Sequence, residues 1–305
     1  MSVAVNRRMH WPPRRILVGT DFSESAHGAL HAAAALARRV GARIDLVHVV
    51  EETPSTGFEP LDAVFWKDPG SERAQAEALG RLEALACEAG RERTDVHLAT
   101  GNPVTELLAK RALLGPDLIA LGGGGIRGLH RVLLGSVAGK LLGHPGCPLL
   151  IVKELPRSCE FKKILVAQER PRAPSPWLEV GFRLAHDERS EAALLHVLPP
   201  KGYLSDAHHV ELEPETAPAH LAGLCARLDP TVPAQVVVRH GDPAYEIPRV
   251  ARELGAHLVV MGAERAGSRG SPGRIANHVA RAGLPALLVV WPECEADESF
   301  EATRP

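Results

Sequence analysis

The sequence lacks the features that mark membrane, secreted and nucleic-acid-binding proteins. No apolar run reaches the roughly 18 residues that a membrane-spanning helix needs, and the first residues contain no apolar segment of the secretory type. Positive charge is not in excess, because the formal net charge is -2. This balance argues against a large nucleic-acid-binding face. We therefore expect a cytoplasmic protein whose partners include neither a membrane nor a nucleic acid.

Cysteine and aromatic residues are also scarce. The five cysteines among the 305 residues form no CxxC pair, which predicts reduced thiols and no disulfide or zinc framework. Of the 15 histidines, only His208 and His209 are adjacent, and adjacent residues rarely chelate one ion. We expect no metal site. Aromatic residues make up 4% of the chain, but hydrophobic residues make up 45%, enough for a core in each of two domains.

Five short blocks of sequence occur twice in the same order, which indicates an internal duplication. The pairs are Arg15–Gly19 with Lys163–Ala167, His48–Val50 with His196–Leu198, Gly101–Pro103 with Gly241–Pro243, Asp117–Gly122 with His257–Gly262, and Pro148–Val152 with Pro285–Val289. We predict a first domain over residues 1–155, a second over residues 160–293, and a tail over residues 294–305.

Each copy alternates short apolar runs with longer helical patterns. In the first copy the predicted strands are 15–20, 43–50, 95–99, 118–121 and 148–152, and the predicted helices are 26–40, 71–89, 104–114 and 137–142. Such alternation is typical of a Rossmann-like α/β domain with an open, five-stranded parallel sheet covered on both faces. The fifth strands are apolar and would otherwise be exposed sheet edges. We therefore expect the two domains to pack as a pseudo-dimer through residues 148–152 and 285–290.

A glycine-rich segment follows the predicted fourth strand of the first copy. Gly122–Gly125 are consecutive, and Gly135 and Ser136 then open the next helix. Ligands of open α/β sheets bind beyond the carboxyl ends of the strands, glycine allows the backbone to approach a phosphate, and a helix N-terminus favours an anion. The spacing does not fit a P-loop, and it fits a dinucleotide fingerprint only weakly. The alternative is a turn that binds nothing. Nearby positive charge comes from Arg127, Arg131 and Lys140.

These features together resemble the universal stress protein family, whose ATP-binding members carry GxxGx9G followed by Ser or Thr. Gly122, Gly125, Gly135 and Ser136 match that spacing. Ile16–Ser23 resembles the family's first strand with its acidic residue, and Cys147-Pro148 its fifth-strand signature. The resemblance covers both copies and implies a fold of the adenine nucleotide alpha hydrolase-like kind.

The resemblance also implies a ligand and roles for residues of the first copy. The ligand is ATP, with AMP or another adenine nucleotide as alternatives and Mg²⁺ as an optional companion. Asp21, beside Thr20, corresponds to the acidic residue near the adenosine moiety, and Val49 to the position whose backbone hydrogen-bonds the adenine edge. For Asp21, capping of the following helix is the alternative. The phosphate-contacting positions are Gly122, Gly125, Gly135, Ser136 and Val137, with Arg127 nearby.

The second copy departs from this pattern at each point. Glu169 stands at the acidic position, Arg265 replaces the second glycine and Arg274 replaces the serine. We expect no ATP binding of the family's kind here, with an anion held differently by Arg265, Arg269 and Arg274 as the alternative. Accordingly, Gly125→Val should abolish binding, whereas Gly262→Val should be silent.

The resulting functional expectation is nucleotide-linked stress response through domain 1, with ATP tuning a surface that an unidentified protein partner reads. One rival is a slow ATPase, at most weakly active because no general base is evident near the phosphates. Another rival is an interaction or scaffold module that binds no nucleotide. Assembly of the tandem chain into a homodimer stays open. His48 and His196 are interpreted as core histidines with satisfied hydrogen bonds.

Overall fold

The computed structural model describes residues 11–51, 69–124, 134–144, 146–154, 160–169, 174–200, 215–263 and 273–291. The elements of domain 1 are β1 (Arg15–Gly19), α1 (Glu24–Val40), β2 (Arg43–Val50), α2 (Pro69–Ala89), β3 (Thr94–Thr100), α3 (Pro103–Leu114), β4 (Leu118–Gly122), α4 (Ser136–Leu141) and β5 (Leu149–Val152). Those of domain 2 are β6 (Lys163–Ala167), α5 (Pro176–Glu188), β7 (Glu191–Leu198), α6 (Ala217–Leu228), β8 (Ala234–His240), α7 (Pro243–Leu254), β9 (Leu258–Gly262), α8 (Arg274–Arg281) and β10 (Ala286–Val290). Within these ranges no helix combines the length and apolar character needed to cross a bilayer.

All ten strands form one sheet in the order β3-β2-β1-β4-β5-β10-β9-β6-β7-β8. Neighbours within each domain are parallel, and only β5 and β10 are antiparallel, with Leu150 opposite Leu288. Each fifth strand thus covers the edge of the other. The predicted α/β class and the pseudo-dimer built on the fifth strands are both confirmed.

Local sequence explains where the helices begin and end. Ser23 and Asn102 accept hydrogen bonds at the N-termini of α1 and α3 from backbone N–H groups that have no partner within the helix. Gly41 and Gly115 end the same helices with left-handed backbone, which glycine adopts without a steric penalty. In domain 2 the side chains of Ser175 and Asp242 cap α5 and α7 in the same way, and left-handed backbone at Arg189 and Gly255 ends them.

Two hydrophobic cores lie on opposite faces of the shared sheet, and each extends through both domains. One lies beneath α1, α2, α5 and α6, and the other beneath α3, α4, α7 and α8. Arg39 on α1 reinforces the junction by pairing with Glu160 and Glu188 of domain 2. Because alternate residues of the strands enter the two cores, the strands read as continuous apolar runs.

A charged cluster is enclosed within domain 1. Asp45 on β2 is 1% exposed, and its Oδ1 lies 2.9 Å from Nη2 of Arg15 and 2.8 Å from Nε2 of His97. Burial by itself would raise the pKa of Asp45, but the hydrogen bonds from Arg15 and His97 outweigh it and hold the pKa below its ordinary value. No sequence pattern predicted this cluster, because its members come from three different strands.

Candidate functional site

The candidate site lies where the strand order of domain 1 reverses. From β1 the chain runs outward to β2 and β3, then crosses back so that β4 pairs with the opposite side of β1. Ligands of open α/β sheets bind in the crevice beyond the carboxyl ends of the two strands at such a point. Thr20–Ser23 follows β1 and Gly123–Gly124 follows β4, so both segments meet this crevice.

Thr20 ties the end of β1 to its surroundings. Its N–H donates to the Val47 carbonyl at 2.9 Å, its hydroxyl accepts from the Phe22 N–H at 3.0 Å, and its carbonyl accepts from Nδ1 of His48 at 2.8 Å. The Phe22 ring packs on His48 with 4.3 Å between ring centroids, and Phe22 has a positive φ of 61°. Thr20 is therefore buried and holds the segment between β1 and α1 in place through its hydrogen bonds. The hydrogen bond from Nδ1 holds the His48 ring against the backbone.

Asp21 has a different surrounding. Its Oδ1 accepts from the Ser23 N–H at 3.0 Å, and no hydrogen bond to Oδ2 occurs within the described ranges. Ser23, not Asp21, is the N-cap of α1, since its Oγ accepts from the Ala26 N–H at 3.2 Å. The structure therefore fixes the direction of the Asp21 side chain through one oxygen and leaves the other for a hydroxyl or amine donor.

Val49 presents backbone groups at the same edge. Peptide groups of a strand point alternately to its two neighbours, and the Val47 carbonyl points towards β1, where it accepts from Thr20. Val49, two residues further on, points to the same side, but β1 has already ended at Gly19. The Phe22 N–H, which would continue the ladder, donates to Thr20 instead. Val49 thus offers an adjacent N–H and carbonyl beyond the end of β1.

The first glycines of the segment after β4 are required by the packing of the protein itself. A Cβ on Gly122 would lie 2.6 Å from the Ala26 nitrogen and 2.7 Å from Oγ of Ser25. A Cβ on Gly123 would lie 2.4 Å from Cγ of Lys153. The Gly124 N–H donates to Oγ of Ser25 at 3.2 Å, and the Ser25 hydroxyl donates back to the Gly124 carbonyl. These contacts hold the segment against the first turn of α1.

Gly135 is different, because the protein does not require a glycine there. Its N–H donates to the Gly123 carbonyl at 2.9 Å, which closes the loop. Its φ of -56° suits any residue, and among the described residues the nearest neighbour of a Cβ would lie at 3.7 Å. Ser136 is exposed at the start of α4, and Val137 is partly buried against the second core. Two other predicted site residues, Gly125 and Arg127, lie outside the described residues.

In domain 2 a tryptophan stands at the end of the corresponding strand. A Cβ on Gly262 would lie 2.5 Å from the Trp177 ring, which is buried at the start of α5. In domain 1 the nearest described atoms to a Cβ on Gly122 belong to the small Ser25 and to the Ala26 backbone. Gly262→Val would therefore collide with the indole and disturb the packing of domain 2, while the expectation that it does not matter for ATP binding stays a prediction. The loop after β6 is also closed internally, because the Ser175 hydroxyl donates to Oε1 of Gln168 at 2.6 Å.

The arginine that replaces Ser136 in domain 2 is engaged with a carboxylate. Arg274 reaches Asp242 through both terminal nitrogens, at 3.0 and 3.1 Å. Such a two-point contact satisfies the guanidinium geometrically as well as electrostatically. This pairing speaks against Arg274 as an anion ligand, while Arg265 and Arg269 lie beyond the part of the chain that the structure describes.

Sequence reasoning missed both Ser25 and Trp177. The blocks at β1 and β2 are separated by the same number of residues as the corresponding blocks at β6 and β7. This equal spacing hides a local change, because α1 has 17 residues and α5 has 13. The loop before α5 is correspondingly longer, so Trp177 aligns with no residue near Ser25 in a direct comparison of the copies. The signal that was available is the exchange of a serine-rich helix start for Ser175-Pro176-Trp177.

Comparisons with known proteins agree with this architecture. The sequence profile of the universal stress protein family matches residues 13–153 and again residues 160–290. A putative universal stress protein of Staphylococcus epidermidis is 30% identical over 141 residues, which are 46% of this chain and 84% of that protein. A putative universal stress protein of Staphylococcus aureus is also 30% identical, over 146 residues, 47% of this chain and 87% of that protein.

Among solved structures, a universal stress protein from Archaeoglobus fulgidus superposes with a TM-score of 0.67 at 22% identity, covering 92% of this chain and 96% of that one. Identity at this level supports the fold alone, and it does so across both domains. The two profile matches span most of the chain, and each corresponds to one five-stranded half of the sheet. The chain therefore belongs to the universal stress protein family and carries two copies of the family's domain in tandem.

Proposed function

We propose that domain 1 binds one adenine nucleotide, with ATP as the expected ligand, and that the protein acts in a nucleotide-linked stress response. The observation that carries the proposal is the backbone edge of Val49 at the switch point of the sheet. Adenine presents an amine donor beside a ring-nitrogen acceptor, and a peptide carbonyl next to an N–H is complementary to that pair.

The other groups fit the remainder of the same ligand. Asp21 keeps one carboxylate oxygen for a ribose hydroxyl. Around Gly135, at the turn that leads into Ser136 and Val137, the described residues leave space for a ligand. In this arrangement the adenosine lies against β1 and β2 and the phosphates lie towards α4, with Mg²⁺ as a companion of the phosphates.

Domain 2 is proposed to bind no nucleotide in this manner. The Trp177 ring stands against the end of β9, and Arg274 is committed to Asp242. One nucleotide per chain is the expected stoichiometry. ATP would then favour one of two conformations of a surface of domain 1 that a protein partner in the cytoplasm recognises. The difference in ATP affinity between the two conformations sets how far ATP shifts their populations.

Isothermal titration calorimetry of the full chain with ATP, AMP and cyclic AMP tests the proposal. We expect binding of ATP at one site per chain. Asp21→Asn should weaken binding about 10- to 100-fold, since hydrogen bonds to charged groups contribute roughly 1.5–3 kcal/mol. The matched substitution in domain 2, Glu169→Gln, should leave the affinity unchanged. Absence of heat with all three nucleotides would overturn the proposal.

A second variant separates ligand contact from folding. Gly135→Ala adds a methyl group whose nearest neighbour among the described residues lies 3.7 Å away, so we expect the fold to tolerate it. The melting temperature should stay the same while ATP affinity falls at least about tenfold, or about 1.4 kcal/mol. Gly273→Ala, at the corresponding N-cap of α8 with a φ of -53°, is the control. Unaltered ATP affinity in Gly135→Ala would contradict the assigned path of the phosphates.

A further inference from the structure

Three side chains with metal-binding atoms converge on the outer surface of domain 1. His27 and His31 lie on α1 and Glu88 on α2, and one ligand atom from each lies within 4.8 Å of the other two. Nε2 of His27 is 2.9 Å from Oε2 of Glu88, and the two imidazole centroids are 4.8 Å apart. The cluster is separate from the crevice at the end of β1 and uses none of its proposed ligands.

The fold places these three groups together without depending on contacts between them. Residues four apart on a helix project from the same face, so His27 and His31 stand one turn apart. Leu30 on α1 and Leu82 on α2 are buried in the same core, which fixes the two helices beside each other. The positions of all three ligands are thus set in advance, which lowers the conformational cost of binding an ion.

The surroundings of the cluster disfavour a proton on His31 and leave the ligand atoms open to solvent. Burial lowers the pKa of His31, and the neighbouring His27 and Arg38 lower it further, while Glu88 opposes them. The side chains of His27 and Glu88 are 44% and 49% exposed, so an ion can enter from solvent.

We propose that His27, His31 and Glu88 form a binding site for Zn²⁺ or a divalent ion of similar chemistry. Two imidazoles and a carboxylate suit such borderline ions, whereas Mg²⁺ and Ca²⁺ prefer oxygen ligands alone. Two histidines four residues apart on a helix are an established half of a zinc site. Zinc–ligand bonds of about 2.0–2.2 Å place tetrahedral ligand atoms roughly 3.3 Å apart, which side-chain rotation achieves from the present arrangement.

The bound ion would connect α1 to α2 and keep a fourth position for water. The first turn of α1 is also the segment that packs against Gly122 and Gly124. Zinc would therefore brace the helix that supports the loop after β4, which makes the site a stabilising clamp beside the crevice. The sequence analysis considered only adjacent histidines and so missed this metal site. The spacing of four residues between His27 and His31 was the signal that could have revealed it.

Zinc binding is tested on the full, tag-free chain without nucleotide, by competition of ZnCl₂ with a chromogenic chelator and by thermal unfolding. We expect one Zn²⁺ per chain and a melting temperature that rises with Zn²⁺, because an ion that binds only the folded state stabilises it. MgCl₂ at the same concentrations should leave the melting temperature unchanged.

Three variants decide whether these residues hold the ion. His31→Gln and Glu88→Gln should each weaken Zn²⁺ binding by more than roughly tenfold, the loss caused by altering a residue that only supports a metal ligand. In the absence of zinc, both variants should have the melting temperature of the unaltered chain. His220→Gln is the control, since His220 is an exposed histidine on α6. Zinc affinity that survives in both ligand variants, or no zinc binding by the unaltered chain, would overturn the proposal.

Discussion

Lys153 is a buried cation whose removal should stabilise the protein. It follows β5 at the junction of the two domains, and its stem lies against Gly123. Within the described residues its Nζ is buried and donates no hydrogen bond. Burial, with a smaller effect of Arg281 from domain 2, lowers the pKa of Lys153 to about 8.

The lowered pKa sets both the size and the direction of the effect. In the unfolded chain Lys153 keeps its proton up to the ordinary pKa of 10.5, so between about 8 and 10.5 the unfolded state binds more protons than the folded state. Stability from this group therefore rises with pH through that window and is lowest below it. At about 1.36 kcal/mol per pKa unit, the penalty at pH 7 is at most roughly 3 kcal/mol, and solvent contact with the half-buried side chain reduces it.

Lys153→Met tests this reasoning, because methionine preserves the stem that packs against Gly123 and removes the charge. Urea denaturation at pH 7 should show the variant more stable than the unaltered chain by about 1–3 kcal/mol. The difference should shrink as the pH is raised from 8 to 10, because the folded lysine then becomes neutral and only the unfolded chain still holds the proton. Lys110→Met, at a partly exposed position on α3, is the matched control. A variant that is less stable at pH 7, with no dependence on pH, would refute the reasoning and indicate an anionic partner for Lys153.

Three further changes probe the fold around the site. Asp45→Asn should destabilise the chain by about 3 kcal/mol, because it leaves Arg15 without its buried carboxylate. Since the folded pKa of Asp45 is lowered, its contribution is present above the ordinary value of 3.8 and lost as pH falls through the folded pKa, so acid denaturation profiles should differ between the two chains; identical profiles would contradict this. Gly122→Ala should cost about 1–3 kcal/mol in urea denaturation through collision with the start of α1, whereas Gly124→Ala, whose Cβ would have its nearest neighbour among the described residues at 3.8 Å, should be neutral; equal effects would show that the close approach is unimportant. A fragment of residues 1–155 exposes the apolar edge of β5 and should self-associate in analytical ultracentrifugation, and a strictly monomeric fragment would argue against edge pairing as the force that joins the domains.

Much of the fold could be predicted from local and repeated sequence. The strands appear as continuous apolar runs because both faces of the sheet are covered, and the bounds found for β2 agree with the predicted 43–50. The apolar fifth strands indicated the junction, since an exposed apolar edge is a liability. The sequence analysis located the glycine segment at the end of β4 correctly, but it explained the glycines only by ligand binding. Gly122 and Gly123 are also needed by the protein's own packing.

The sequence by itself determined the duplication, the α/β class, the pairing of fifth strands and the asymmetry of the two glycine segments, because each depends on neighbouring residues or on a repeat along the chain. Only the tertiary structure decided that Trp177 stands against Gly262, that Asp45 is enclosed with Arg15 and His97, and that Glu88 meets His27 and His31. Each of these contacts joins elements distant in sequence at a spacing of a few ångströms. Such a spacing follows from how whole helices and strands pack, which no local pattern of residues encodes.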